Sequence, residues 1–307
     1  MPTTKSNTSR APLHPGVVLL VCALAVVTAA NPAAGQPGPP GTDIYLAPLS
    51  IDDGAVTVGR PVNITSRPGY DNQPFFGPDG SFILFTSADT SGATDIYRYD
   101  IVAATVTRVT NTPESEYSPT VIEGGRSFST VRVEADGAQR LWQFDIDGTL
   151  PRLVLTDVDS VGYHTWIDDR TLGLFVLGEP HTLRIADTRK DTDRIVAFDI
   201  GRCIHAVPGT SELSFVQITG DDESWITCFD TDSGEFVRLV TTLPGSQDYV
   251  WLPNGGMLMA DDSVLFVWAG DDEWTEVDAL GAYGITGITR LSVDASGEWL
   301  TLVADDS

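Results

Sequence analysis

Basic residues are scarce: 18 lysines and arginines stand against 43 aspartates and glutamates in 307 residues, a formal net charge of −25. Nucleic acid and anionic lipid are bound by Lys and Arg neutralising phosphates, so a surface of this sign argues against both as partners. It favours basic partners or divalent cations. No apolar run reaches the roughly 20 residues that a membrane-spanning helix needs. GVVLLVCALAVVTAA, residues 16–30, stops at 15. From Thr42 onward no stretch of 12 or more residues keeps a helical period, which excludes a helical fold class. Catalytic signatures are missing as well: there is no G-x-S-x-G elbow, no H-E-x-x-H, no Gly-rich phosphate loop and no C-x-x-C. Neither a catalytic residue nor a cofactor is therefore assigned.

The first 35 residues have the layout of a secretory signal. Lys5, Arg10 and His14 precede the apolar stretch, and small residues at Ala33 and Gly35 suit cleavage near Gly35. A lipoprotein signal would place a cysteine directly after a small residue at the cleavage point, whereas Cys22 lies inside the apolar stretch behind Val21. The chain is therefore expected to be exported without a lipid anchor, to a periplasm or beyond the cell, with 36–41 as a short linker. Removing the signal leaves 16 basic against 43 acidic residues, a balance of −27. Hydrophobic content of 42% supports a real core, so the acidity belongs to the surface.

Evenly spread Gly and Pro punctuate short apolar runs from Thr42 to the end, the pattern of an all-β chain. One stretch recurs. Gly80 is followed by SFILF, Gly125 by RSFSTV, Gly209 by TSELSF, Gly255 by GMLMA and Gly297 by EWLTLV, while Asp169 holds the matching place before RTLGLFVL. A second half-unit alternates with it, beginning at Thr94, Gln139, His181, Ser224 and Ser263. Each reads as strand, turn, strand. Four strands per 40 to 46 residues is the signature of a propeller blade. The chain opens at Thr42 with a second half-unit and ends from Ile288 with a first half-unit, so joining them completes a sixth blade. The expectation is a six-bladed β-propeller over 42–307, its four-stranded antiparallel blades closed by N-terminal strands joining the C-terminal half-blade. Runs such as FILF, LGLFVL, VLFVW and LTLV suit strands covered on both faces.

Pro74, Pro78-Asp79-Gly80, Phe85 and Ser87, followed by Asp95-Ile96-Tyr97, resemble the propeller repeat of the TolB family, a WD40-like repeat. Thr42 to Leu46 repeats the D-I-Y element. Later blades keep the rhythm with fewer of the letters, as in IDDR after Trp166. TolB proteins are exported partners of an envelope system and carry an α/β domain before the propeller. The resemblance thus implies a propeller-only relative, not TolB itself, that acts as a monomeric protein-interaction module on an envelope or secreted partner.

Several residue groups invite chemistry. DIDG at Asp145 and DTDSGE at Asp230 resemble calcium loops but fall at turns inside blades and lack the Glu of an EF-hand, so a turn role is expected. Cys203 and Cys228 fall on the first and third strands of one blade, too far apart to bridge, and two buried free thiols are expected. His164, His181 and His205 come from unrelated blade positions, so no metal site is assigned. The segments entering each blade carry Tyr70 with Asp71, Glu116 with Tyr117, Tyr163 with His164, Asp248 with Tyr249, and Tyr283. These segments gather at one mouth of a propeller channel, and loops there add Asp221-Asp222-Glu223 and Asp261-Asp262. Such an aromatic, acidic rim is the candidate partner site; the competing reading is that the tyrosines only pack between blades. A second functional reading is a propeller enzyme, a saccharide lyase or hydrolase with a channel-bound divalent cation.

Overall fold

The computed structural model describes residues 40–52, 54–220, 223–271 and 273–306. The expected signal and its cleavage point, Cys22, and the acidic pair Asp221-Asp222 lie outside the described residues.

Strands dominate because the chain alternates short β-branched and aromatic runs with turn residues, and they assemble into six antiparallel sheets. Blade 1 contains Asp71–Phe76, Phe82–Ala88, Thr94–Asp100 and Thr105–Arg108. Blade 2 contains Ser115–Val121, Ser127–Val133, Gln139–Asp145 and Arg152–Leu153. Blade 3 contains Val161–Trp166, Thr171–Val176, Thr182–Asp187 and Thr192–Phe198. Blade 4 contains Ile200–Ala206, Glu212–Ile218, Ser224–Asp230 and Phe236–Thr241. Blade 5 contains Tyr249–Trp251, Met257–Asp261, Val264–Trp268 and Thr275–Ala279. The closing blade joins the two ends of the chain: Arg290–Val293 pairs with Trp299–Asp305, which pairs with Thr42–Asp52. The seam runs in unbroken register from Thr42 opposite Asp305 to Pro48 opposite Trp299. A sheet edge that would otherwise be open is thereby covered. The expected six-bladed ring and its mode of closure are both present.

Each blade contacts its chain neighbours and blade 5 contacts the closing blade, completing the ring. Six apolar clusters fill the six interfaces. The second strand of blade 1 shows why its sequence is an unbroken run: Ile83 and Phe85 enter the cluster shared with the closing blade, while Phe82 and Leu84 enter the one shared with blade 2. Side chains alternate across a strand, so burial on both faces demands apolar residues at every position. Fully burying each such side chain contributes about 1.5–3 kcal/mol. VLFVW of blade 5 departs from this pattern: Leu265 and Trp268 are buried, and the other three residues are only half covered.

The repeated glycines take the backbone role their spacing implies. Gly80 and Gly297 adopt φ of +67° and +74°, the left-handed region that an L side chain resists. In blade 3 the turn is held differently: the carboxylate of Asp168 accepts the backbone N–H groups of Arg170 and Thr171 at 2.8 and 2.7 Å. The Asp230 carboxylate likewise accepts N–H groups of Asp232 and Ser233, so the calcium-loop look-alike is a turn. Cys203 and Cys228 lie on the first and third strands of blade 4 as two buried free thiols.

Candidate functional site at the channel mouth

An antiparallel blade pairs the start of its first strand with the end of its second. Asp71 faces Ser87, Tyr249 faces Met259 and Arg290 faces Val303. The entry segments of all blades, and the loops between second and third strands, therefore share one face of the ring. Bulges interrupt the innermost strands of blades 1 to 4 close to this face. Such bulges re-aim side chains. In two of them Gln73 and Ser118 adopt φ of +58° and +55°, and the Gln73 side-chain oxygen accepts the Ser118 N–H at 2.8 Å, satisfying a donor that the bulge frees from the ladder.

At this face the innermost strands contribute a polar cluster. Arg290, from the closing blade, donates from Nη2 to the hydroxyl of Tyr163 in blade 3 at 2.7 Å, and its guanidinium lies 4.8 Å from the Tyr163 ring centroid. Its Nη1 stands 3.5 Å from Oδ1 of Asp248 in blade 5. Oδ2 of Asp248 accepts from Nε of Arg202, in blade 4, at 3.1 Å, and the Arg202 Nη2 also bonds it. Tyr70 of blade 1 is within electrostatic range of Arg290, Tyr163, Tyr117 and Arg202. Burial raises the Tyr70 hydroxyl above its ordinary range, chiefly against the opposing pull of Arg290, so it stays protonated. Arg290 loses solvation by burial, but Tyr163 and Asp248 outweigh that loss and hold its charge. The cluster thus sets two guanidiniums and the Tyr163 hydroxyl around one carboxylate, with Tyr70 alongside. A cleft of about 260 Å³ opens beside it, lined by Arg202, Asp248, Gln247, Asp262 and Thr289 among others.

Of the residues selected from the sequence, Tyr70, Tyr163 and Asp248 belong to this group and Tyr117 lies beside Tyr70, while the Tyr117 and Tyr163 rings also pack against the apolar clusters between blades 2 and 3 and between blades 3 and 4. Asp71 and Glu116, both fully buried, instead fasten the segments between blades. Asp71 accepts from Arg67 Nη2 at 2.7 Å. Glu116 accepts from the hydroxyls of Thr110 and Thr112 and from Arg132 Nε at 3.1 Å. Burial raises both carboxyls above their usual range despite these donors. Asp95, the D-I-Y aspartate of blade 1, grips the same segment through Thr110, Thr112 and Arg108. The family-like motif is therefore a latch between blades.

His164 and Tyr249 turn between blades. His164 Nε2 lies 2.6 Å from Ser129 Oγ, which also accepts from Trp166 Nε1 at 2.9 Å. Two blades on, Ser214 Oγ accepts from the Tyr249 hydroxyl and from Trp251 Nε1, each at 2.8 Å. The same serine staple joins blades 2 and 3 and blades 4 and 5. Tyr283 is half exposed at the end of the 3-10 turn Leu280–Tyr283, outside the cluster.

Cys203 and His205 are adjacent at 3.3 Å, yet they form no nucleophile and base. His205 Nε2 lies 2.7 Å from the Tyr249 carbonyl, which can only accept, so Nε2 carries the proton and has no lone pair for the thiol. Burial pushes the Cys203 thiol up to about 12. His181 is exposed, and its ring lies tilted against Phe175 with centroids 5.0 Å apart. Among the described residues, no three His, Cys, Asp or Glu side chains are grouped to hold an ion.

Arg202 and Arg290 were not among the residues that the sequence suggested. Their signal was positional: Arg202 and Arg290 lie seven residues before Gly209 and Gly297, as Asp248 lies seven before Gly255.

No protein-family model matches the sequence, and no curated protein sequence does either. Solved structures are similar in fold. TolB from Acinetobacter baumannii aligns with 87% of this chain at 13% identity and TM-score 0.58, and this chain spans 64% of its length. An Agrobacterium tumefaciens protein assigned as TolB aligns with 87% of this chain and 99% of its own, at 12% identity and TM-score 0.66. The gluconolactonase XC5397 of Xanthomonas campestris aligns at 10% identity and TM-score 0.61 over 88% and 98% of the two chains. The fold is a TolB-like six-bladed β-propeller. Structures of this shape include at least one enzyme, so the fold alone does not decide the activity.

Proposed function

We propose that this chain is an exported, non-enzymatic interaction module that binds an envelope or secreted protein through the aromatic mouth of its channel. The observation that carries the reading is the convergence of Tyr70, Tyr163, Arg202, Asp248 and Arg290, from five different blades, at one mouth. Tyrosines offer rigid contact area at low entropic cost, and arginines form directional pairs; both are enriched where proteins bind each other. The export-type N-terminus and the resemblance to the TolB repeat support an envelope or extracellular partner. Of the sequence-selected residues, the reading keeps Tyr70, Tyr117, Tyr163 and Asp248 as the contact surface, and the protein acts as a monomer. It is tested by quantitative capture from envelope and culture-medium fractions, with the wild-type chain and a Tyr70→Ala/Tyr117→Ala variant as baits. A specific partner that falls at least tenfold with the variant is expected. Equal recovery by the two baits would overturn the reading.

A further inference from the structure

Hydrogen-bond donors outnumber acceptors in the mouth cluster. Arg290 makes one hydrogen bond among the described residues, from Nη2 to Tyr163, and its side chain keeps 17% of its surface open. Neither the Tyr70 hydroxyl nor the Tyr163 hydrogen has an acceptor among those residues, and Asp248 is the carboxylate shared by both arginines. Around this positive centre, the loops between second and third strands of blades 1 to 5 each carry an exposed acid, Asp89, Asp136, Glu179, Glu223 and Asp262, and Asp306 follows the second strand of the closing blade on the same face. A free small anion would have to cross that crown against the net charge of the whole protein. A basic polypeptide would be drawn to it.

Building on the interaction-module reading, we infer that the mouth is a carboxylate receptor for a basic polypeptide. One carboxylate, such as a chain terminus, seats on Arg290 and Arg202 with the Tyr70 and Tyr163 hydroxyls donating, while flanking lysines or arginines meet the crown. Guanidinium and carboxylate match as a charge-assisted, forked pair.

The test uses fluorescence anisotropy with one labelled peptide, Lys-Lys-Gly-Lys-Gly-Leu, as free acid and as C-terminal amide. The amide carries more positive charge, so the acidic field of the protein alone would favour it. Tighter binding of the acid, by at least tenfold, is expected and runs against the net charge of the protein. Arg290→Gln should abolish the preference. Tyr70→Phe, which removes a hydroxyl without a partner among the described residues, should fold normally and reduce the preference about threefold. Equal or tighter binding of the amide, or no binding of either peptide, would overturn the inference, as would displacement by submillimolar acetate. Capture that depends on Tyr70 and Tyr117 without an acid preference would remove this inference alone. Capture indifferent to those tyrosines would remove the interaction-module reading itself.

Discussion

Arg290 and Tyr163 are 127 residues apart in sequence and hydrogen-bonded at 2.7 Å. They come from the closing blade and blade 3, which stand three places apart either way round a ring of six, so the bond spans the channel. A propeller otherwise holds each blade only to its neighbours. This bond, with the Asp248 pair, ties opposite sides together at one mouth.

The charges in the cluster are unequal, and substitutions should reflect that. Asp248→Asn leaves two largely buried guanidiniums facing each other without a carboxylate and is expected to cost about 3–5 kcal/mol. Arg290→Met leaves Asp248 paired with Arg202 and should cost less. Combining the two should cost less than their sum. Urea unfolding of the three variants measures all of this, and strict additivity would show that the residues do not interact.

His164 is buried with Nδ1 unpartnered, and burial lowers its pKa from 6.5 to about 3. Between those values the unfolded chain binds a proton that the folded chain does not, so stability falls as pH falls, by about 1.4 kcal/mol per pH unit from this group. The raised carboxyls of Asp71 and Glu116 act oppositely: their contribution is full at low pH and is lost as pH rises through their folded values. His164→Gln should flatten the acid limb between pH 6.5 and 5, where the neutral buried imidazole costs about 2 kcal/mol of stability. An unchanged slope in denaturant titrations across that range would contradict a neutral buried imidazole.

The serine staple predicts a large effect from a small change. Ser214→Ala removes one oxygen and leaves the Tyr249 hydroxyl and the Trp251 indole N–H without their acceptor. An orphaned buried donor costs about 1–3 kcal/mol, in full for the Tyr249 hydroxyl and in part for the partly buried Trp251 indole, so a loss of about 2 kcal/mol is expected. Trp251→Phe in the Ser214→Ala background should cost less than in the wild type. A loss within 0.5 kcal/mol for Ser214→Ala, the ordinary range of a surface change, would mean that the staple carries no weight.

The ring was legible because its causes are local. Turn glycines such as Gly80 and Gly297 and runs such as FILF recur at blade spacing, and each reports a backbone or burial requirement met within a few residues. The mouth was only half legible. Adjacent strand residues point to opposite faces, so a pair such as Asp248-Tyr249 offers two candidates, and the pleat decides which sees the channel. Here Asp248 faces it and Tyr249 packs against Ser214. Bulges add to the difficulty by shifting that alternation in blades 1 to 4. Arg202 and Arg290 were the least legible, because the composition of an acidic chain does not show that two of its cations are gathered in the channel.

Site-specific photocrosslinking distinguishes a binding mouth from a purely structural one. A photoreactive phenylalanine analogue is placed at Tyr117 on the mouth and, as a control, at Asp147 in a turn between third and fourth strands on the opposite face, and each variant is expressed in cells that export the protein. A discrete crosslinked partner is expected from position 117 and none from position 147. The same partner from both positions, or from 147 alone, would contradict it.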